Sequence, residues 1–231
     1  MDAVILCNGD FPRSAYPRHL LRSAGLVVCC DGALRTFLRH SERIYGKRRM
    51  PDVVIGDLDS LSPAWLARLR EEFPDTPVIR VEEQDYNDLT KAWRWLLARH
   101  PEVERLTILG ATGKREDHTL GNLSLLMEYA RHGIPPLPGT TLPDPLPETA
   151  MVSDHGTAFA VTDSCELGLG AGRRISLFSP DNSLKLHADG LEWPTDAVVF
   201  DNWWKATLNR TVSDRVKLTF NHPSAVLVMV E

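Results

Sequence analysis

The chain has 231 residues, 43% hydrophobic and 25% charged, which is the composition of a globular protein able to bury a core. A net charge of −5 argues against a nucleic-acid coat protein, which needs a basic face, and no apolar run approaches the roughly 18 residues of a membrane span. The opening MDAVILCNGD has neither a basic leader nor the apolar core of a signal peptide. Cys7, Cys29, Cys30 and Cys165 form no CxxC pair and no zinc-ligand spacing, so they read as reduced thiols of a cytoplasmic protein.

Up to about residue 133, short apolar runs alternate with stretches of helical period. AVILC (3–7), LVVCC (26–30), DVVIG (52–56), VIRV (78–81) and LTILG (106–110) read as strands. ALRTFLRH (33–40), SPAWLARLREEF (62–73) and DLTKAWRWLLARH (88–100) read as helices. Ser62 before Pro63 is a helix start, and Leu89, Ala92, Trp93 and Leu96 make one apolar stripe. A further helix, DHTLGNLSLLMEYARHG, is expected to end on a left-handed Gly133. Such alternation predicts a mostly parallel sheet covered by helices.

GIPPLPGTTLPDPLPETA (133–150) holds six prolines and reads as a surface loop or linker. Beyond it, AFAVTD, RRISLFSP, SLKLHADGLEW, AVVFDNWW, RVKLTF and AVLVMVE alternate with turn residues, predicting a small antiparallel β domain. Trp203 and Trp204 would face opposite ways if that stretch is a strand. His155, His187 and His222 show no ligand spacing and read as structural.

Ligands of open parallel sheets bind beyond the carboxyl ends of the strands. There the sequence places Asp31-Gly32, Asp57-Leu58-Asp59, the EEQDYND segment with Asp85 and Asp88, and ATGKREDH. Each alone is an ordinary turn or cap signal, and GATGK lacks the spacing of a phosphate-binding P-loop. Together, converging carboxylates repel unless a hard divalent cation lies among them. Lys91, Lys114 and Arg115 lie in the same segments and suit phosphate oxygens. Carboxylates, Mg²⁺ and cations in one place predict phosphoryl-transfer chemistry.

CDGA (30–33), PDVVIGDLDSL (51–61), QDYNDLTKA (84–92), LGATGKREDHTLGNLSLL (109–126), GLEWP (190–194) and TLN (207–209) resemble the thiamine pyrophosphokinase (thiamine diphosphokinase) family in order and spacing. The fold class implied is α/β: a Rossmann-like, mostly parallel sheet with flanking helices in 1–134, a proline-rich linker in 135–150, and an antiparallel β-sandwich in 151–231. The activity implied is Mg²⁺-dependent transfer of a pyrophosphoryl group from ATP to thiamine, giving thiamine diphosphate and AMP, by a homodimer with active sites at the subunit interface.

By position, the resemblance makes Asp57, Asp59 and Asp88 the metal-binding carboxylates and, with Arg115, the catalytic set. Asp31, Gly32, Gln84, Lys91, Gly110, Gly113 and Lys114 fall on the ATP and phosphate side. Asp117, His118, Trp193 and Asn209 fall on the thiamine side, the last two from the partner subunit. Three departures stand out: Ala33-Leu34 replaces a glycine and an asparagine, Leu208 stands where a serine is common, and the proline-rich segment is longer than usual. Competing readings are a kinase of another heterocyclic alcohol and a non-catalytic thiamine or nucleotide sensor.

Overall fold

A computed structural model describes all 231 residues and resolves the chain into two compact units, residues 1–122 with 135–154, and residues 123–134 with 155–231. The first unit alternates strand and helix as the apolar periodicities predict: β1 (Asp2–Leu6), α1 (Ala15–Ser23), β2 (Leu26–Cys30), α2 (Leu34–Tyr45), β3 (Val53–Gly56), α3 (Pro63–Glu72), β4 (Val78–Arg80), α4 (Asp88–Arg99), β5 (Arg105–Leu109), the start of α5 (Glu116–Ala130) and β6 (Glu148–Val152). The strands are all parallel in the order β6-β5-β1-β2-β3-β4. β2 and β3 are buried throughout, as strands covered on both faces should be.

One core gathers Val4 and Leu6 of β1, Val27 and Cys29 of β2, Leu21 of α1, Phe37 and Ile44 of α2, and Leu69 of α3. α4 packs across β1, β2 and β3 through its stripe of Leu89, Ala92, Trp93 and Leu96, all nearly inaccessible. Burying each leucine of that stripe contributes about 1.5–3 kcal/mol. The Ser62 hydroxyl caps α3 by accepting from the Trp65 N–H at 3.4 Å, with Pro63 in the first turn.

Three features here depart from the sequence expectations. α1 begins at Ala15 within a stretch whose proline and short length mask its period. β6 lies in the segment expected as linker: Glu148–Val152 pairs in parallel with Arg105–Leu109, so the end of the proline-rich stretch is a sheet strand. ETAMV has no alternation to reveal it. α5 ends at Ala130 and the left-handed residue is His132, at φ 55°, in place of Gly133. The Gly133 N–H instead reaches back to the Glu128 carbonyl at 2.8 Å.

The second unit takes the C-terminal half of α5 and seven strands: β7 (Thr157–Val161), β8 (Cys165–Gly168), β9 (Arg174–Phe178), β10 (Leu186–Asp189), β11 (Ala206–Arg210), β12 (Arg215–Phe220) and β13 (Val226–Val230). Antiparallel pairing orders them β11-β9-β13-β7 and β10-β12-β8. Ile175, Leu177, Val226, Val228 and Val230 from the first sheet meet Leu186, Val216, Leu218 and Phe220 from the second in one core. The strict alternation of β12 is the signature of a strand with one face in that core. AVVFDNWW is not a strand: Trp203 and Trp204 lie in the turn before β11, both exposed. His187 is tied to Asp189 and Asp196, and His222 to Asp181. All four cysteines are free thiols, and no helix is long and apolar enough to cross a membrane.

Candidate active site

β1 is flanked by β2 on one side and β5 on the other, so the strand order across the first sheet reverses there. The crevice beyond such a reversal is where open α/β sheets bind ligands. A cleft of about 520 Å³ occupies it, within the 300–1,000 Å³ range of small-molecule sites. Its walls include Asn8 and Gly9 after β1, Asp31 and Gly32 after β2, Asp57 and Asp59 after β3, and Gly110 to Thr112 after β5. Gln84, Tyr86, Asp88 and Lys91 complete it from the start of α4 and the loop before it. Gly110 has φ 65°, and a Cβ at Gly9 would overlap the carbonyl oxygens of Gly110 and Thr112. Glycine is therefore required for these two loops to meet.

The Asp57-Leu58-Asp59 turn is held by an unusual backbone. Leu58 adopts φ 66°, a conformation that costs a non-glycine residue about 1–2 kcal/mol. Its side chain is buried in the first unit's core, which offsets that strain. The Asp59 N–H donates to Asp57 Oδ1 at 3.1 Å and the Leu61 N–H to the Leu58 carbonyl at 3.1 Å. Leu58 thus acts as the peg, and both aspartates are left facing the cleft.

Asp31 is 3% exposed, and its Oδ2 is buried with no hydrogen-bond partner. Burial raises its pKa above the ordinary carboxylate value, as do the charges of Asp88 and Asp57, against N–H groups of Gly32 and Leu58. Asp88 is raised by burial and by Asp57 and Asp59, while Lys91 pulls the other way. An orphan carboxylate oxygen among three further carboxylates is a donor set suited to a hard cation. No group of three or more His, Cys, Asp or Glu is arranged as a ready-made metal cage. Mg²⁺ in nucleotide sites takes one or two protein carboxylates and fills its remaining positions with waters and phosphate oxygens.

Asn87 caps α4, accepting from the Thr90 N–H at 2.9 Å, which leaves the neighbouring Asp88 free for the cleft. The Asn87 amide also donates to Asn122 Oδ1 at 3.0 Å, and Asn122 donates to the Ala111 carbonyl at 2.8 Å. This relay joins α4, α5 and the loop after β5. Lys114 Nζ donates to Asn8 Oδ1 at 2.9 Å, placing a cation over the β1 end. Cys30 and Cys7, whose sulfurs are 4.0 Å apart, line the same cleft.

Of the residues singled out from sequence, the cleft brings together Asp31, Gly32, Asp57, Asp59, Gln84, Asp88, Lys91, Gly110, Lys114, Arg115 and His118. Gly113, at φ 105°, shapes the loop without lining the cleft. Asp117 does not line it either: it accepts from the Arg115 guanidinium and from the His118 N–H at 2.9 Å. The Arg115 contacts are what first hold the Asp117 carboxyl below its usual range. Trp193 and Asn209 belong to the second unit, where the Trp193 N–H donates to Asn209 Oδ1 at 3.1 Å and Asn209 Nδ2 donates to the Trp193 carbonyl at 2.8 Å. Trp193 is half exposed.

Asn8, Gly9, Tyr86, Asn87 and Asn122 were not singled out as site residues. Asn8-Gly9 carried a usable signal, a turn dipeptide at the end of the first strand, as at Asp31-Gly32. Asn122 carried none, since its role depends on α5 lying beside Asn87.

Residues 17–136 match the family model described as "Thiamin pyrophosphokinase, catalytic domain", and residues 156–228 that described as "Thiamin pyrophosphokinase, substrate-binding domain". The chain is 30% identical over 212 residues to Thiamine pyrophosphokinase 1 of Arabidopsis thaliana, covering 83% of this chain and 72% of that protein. It is 32% identical over 143 residues to Thiamine pyrophosphokinase 1 of Oryza sativa subsp. japonica, covering 55% and 52%. The chain spans about half the length of several curated relatives it matches, with 43% of the Caenorhabditis elegans protein covered. The crystal structures of the Bacillus subtilis and yeast thiamin pyrophosphokinases superpose with TM-scores of 0.72 and 0.74 at 19% and 17% identity. These cover all of this chain and 98% and 86% of those chains, and the likeness is one of fold.

Proposed function

The chain belongs to the thiamin pyrophosphokinase family, and we propose that its cleft transfers a pyrophosphoryl group from ATP to the hydroxyl of thiamine, releasing AMP. The observation that carries this reading is the gathering of Asp31, Asp57, Asp59 and Asp88 with Lys91, Lys114 and Arg115 around one crevice. Four carboxylates in a shared cleft repel one another and an incoming phosphate alike. Asp57, Asp59 and Asp88, with Asp31 alongside, would hold Mg²⁺, which supplies charge neutralisation on the phosphate oxygens when bound. Lys91, Lys114 and Arg115 neutralise the remaining phosphate charge, and Gln84 donates to it from the loop before α4. Attack by an alcohol on a loose, in-line phosphoryl centre asks mainly for positioning and charge stabilisation, so none of these residues is assigned as base.

Thiamine is cationic, and Asp117 is an exposed carboxylate just past the phosphate loop. Its partnership with Arg115 leaves it able to turn from the guanidinium to a thiazolium or pyrimidine amine. Trp193 and Asn209 belong to this reading as residues that a second subunit contributes in a homodimer. Trp193, Trp203, Trp204, Leu208 and Val212 are all exposed and flank or lie on β11, an edge strand, which supports an interface there. The free thiols suit a cytoplasmic location.

The test is chromatographic detection of AMP and thiamine diphosphate from ATP, thiamine and Mg²⁺, with and without a chelator, alongside sedimentation to give the oligomeric state. Both products in equal amounts, lost on chelation, are expected. Hydrolysis of ATP to ADP, or no product with thiamine present, would overturn the assignment. Offering other heterocyclic alcohols in competition decides whether thiamine is the preferred acceptor.

A further inference from the structure

The loop that carries Gln84 and Tyr86 into the cleft is anchored from behind by Arg94, a residue outside the phosphate and metal sets. Arg94 lies on α4 and is 7% exposed. Its Nη1 donates to Glu83 Oε2 at 3.0 Å, and its Nη2 to the Pro136 carbonyl at 3.1 Å. Its guanidinium carbon stands 4.8 Å from the centroid of the Tyr86 ring. One side chain therefore touches both neighbours of the Gln84-Asp85 pair and the start of the proline-rich segment. That segment, without a role on sequence grounds, presents a carbonyl whose direction is set by consecutive prolines.

The junction is also incomplete. Glu83 Oε1 and Arg94 Nε are both buried and neither has a hydrogen-bond partner. A carboxylate and a guanidinium pair best through two parallel bonds, and here only one is made. Buried polar atoms left unpaired are costly, so the junction holds the loop in place at some expense in stability.

We propose that Arg94 is a positioning residue for nucleotide binding: it holds the Glu83–Tyr86 loop against Pro136, so that Gln84 stands placed for the ATP phosphates. This rests on reading the cleft as the ATP site. Arg94 touches no reacting atom, so its effect belongs in ATP affinity and not in the chemical step. Lysine at this position keeps the charge but offers no fork and a poorer stack on Tyr86.

The experiment measures the Kd of Mg-ATP by calorimetry, together with kcat and both KM values, for wild type, R94M, R94K, E83Q and E83Q/R94M. R94M is expected to raise Kd and KM for ATP about tenfold, with kcat and the thiamine KM within about twofold. R94K should recover part of that loss, and E83Q/R94M should be no worse than R94M. An unchanged ATP Kd in R94M, or equal losses on both substrates, overturns the proposal. If R94M does not fold, unchanged ATP Kd in both R94K and E83Q overturns it equally. Should wild type bind Mg-ATP yet make no thiamine diphosphate, the functional assignment falls and the Kd series still decides on Arg94. Absence of ATP binding in wild type overturns both.

Discussion

Lys91 Nζ stands 3.4 Å from Asp88 Oδ1 within the first turns of α4, with the lysine side chain 3% exposed and the aspartate a third exposed. The lysine is the listening partner of the two: buried and fixed, it counters the burial and the neighbouring aspartates that raise the Asp88 pKa. Replacing it with methionine keeps the bulk and removes the counter-charge. We expect Lys91→Met to lower kcat/KM for ATP by about 10²–10³, the size of losing one preorganised charge-stabilising donor. Stability should change by less than about 1 kcal/mol, since the freed Asp88 can hydrate. Steady-state kinetics and thermal melting check both halves.

Asp31 trades stability for function. Its carboxylate is buried with one oxygen unpartnered and two other aspartates facing it. Asp31→Asn should stabilise the metal-free protein by about 0.5–2 kcal/mol, the usual gain from relaxing a functional site. That corresponds to a few degrees in Tm for a chain of this size. Activity should fall at the same time. A lower Tm in the variant would contradict the strain assigned to Asp31.

The pH dependence follows from the same two groups. Asp31 and Asp88 have folded pKa values raised above the ordinary aspartate value, so the folded state keeps their protons longer than the unfolded chain does. Their contribution to stability is fully present below the unfolded pKa, about 3.9, and is lost as pH rises through the folded values. Wild type should therefore lose Tm relative to an Asp31→Asn/Asp88→Asn variant as pH rises through that window, and Mg-ATP should restore part of the difference. The acid limb of the wild-type activity profile should lie above the ordinary carboxylate range. Parallel Tm–pH curves for the two proteins would rule the linkage out.

Asn87 does two separable things. Alanine there removes the cap on α4 and strands Asn122, for an expected loss of about 1–3 kcal/mol. Serine keeps a capping oxygen and loses the donation to Asn122 without adding charge to the acidic cleft, so Asn87→Ser should recover the capping share of the stability. Denaturant melts of the two variants compare them directly. Equal losses would mean that the cap contributes nothing.

Leu208 is 85% exposed and sits at φ 60° in a register shift of β11. Unlike Leu58, it buries nothing to offset that backbone. Leu208→Gly should stabilise the isolated chain by about 0.5–1 kcal/mol, the relief of left-handed strain less the added freedom of the unfolded glycine. If the exposed side chain serves an interface, the same variant should also weaken self-association, which sedimentation reads separately from melting.

The N-terminal strands were legible because buried parallel strands must be continuous apolar runs, and LVVCC and DVVIG are little else. The helices of the same unit were legible where an apolar stripe had room to repeat, as in α4, and missed in α1, where it did not. β6 left no trace, since ETAMV has no alternation and its partner β5 lies far away in sequence. The acidic cluster could be inferred because Asp31, Asp57 and Asp59 follow apolar strands and Asp88 opens the helix after the next one, and parallel strands put their carboxyl ends on one edge.

Sequence by itself determined the family, the order of a parallel α/β part followed by antiparallel strands, and the acidic residues after two strands and at a helix start, because those rest on local chemistry and on spacing along the chain. Tertiary structure alone decided that Leu58 is the buried peg behind Asp57 and Asp59, that Asp31 keeps an unpartnered oxygen, that Asn122 is tied to Asn87, and that Pro136 meets Arg94. Each of these depends on which groups folding brings within hydrogen-bond distance or removes from water. Neither distance nor burial is a property of a residue's place in the chain.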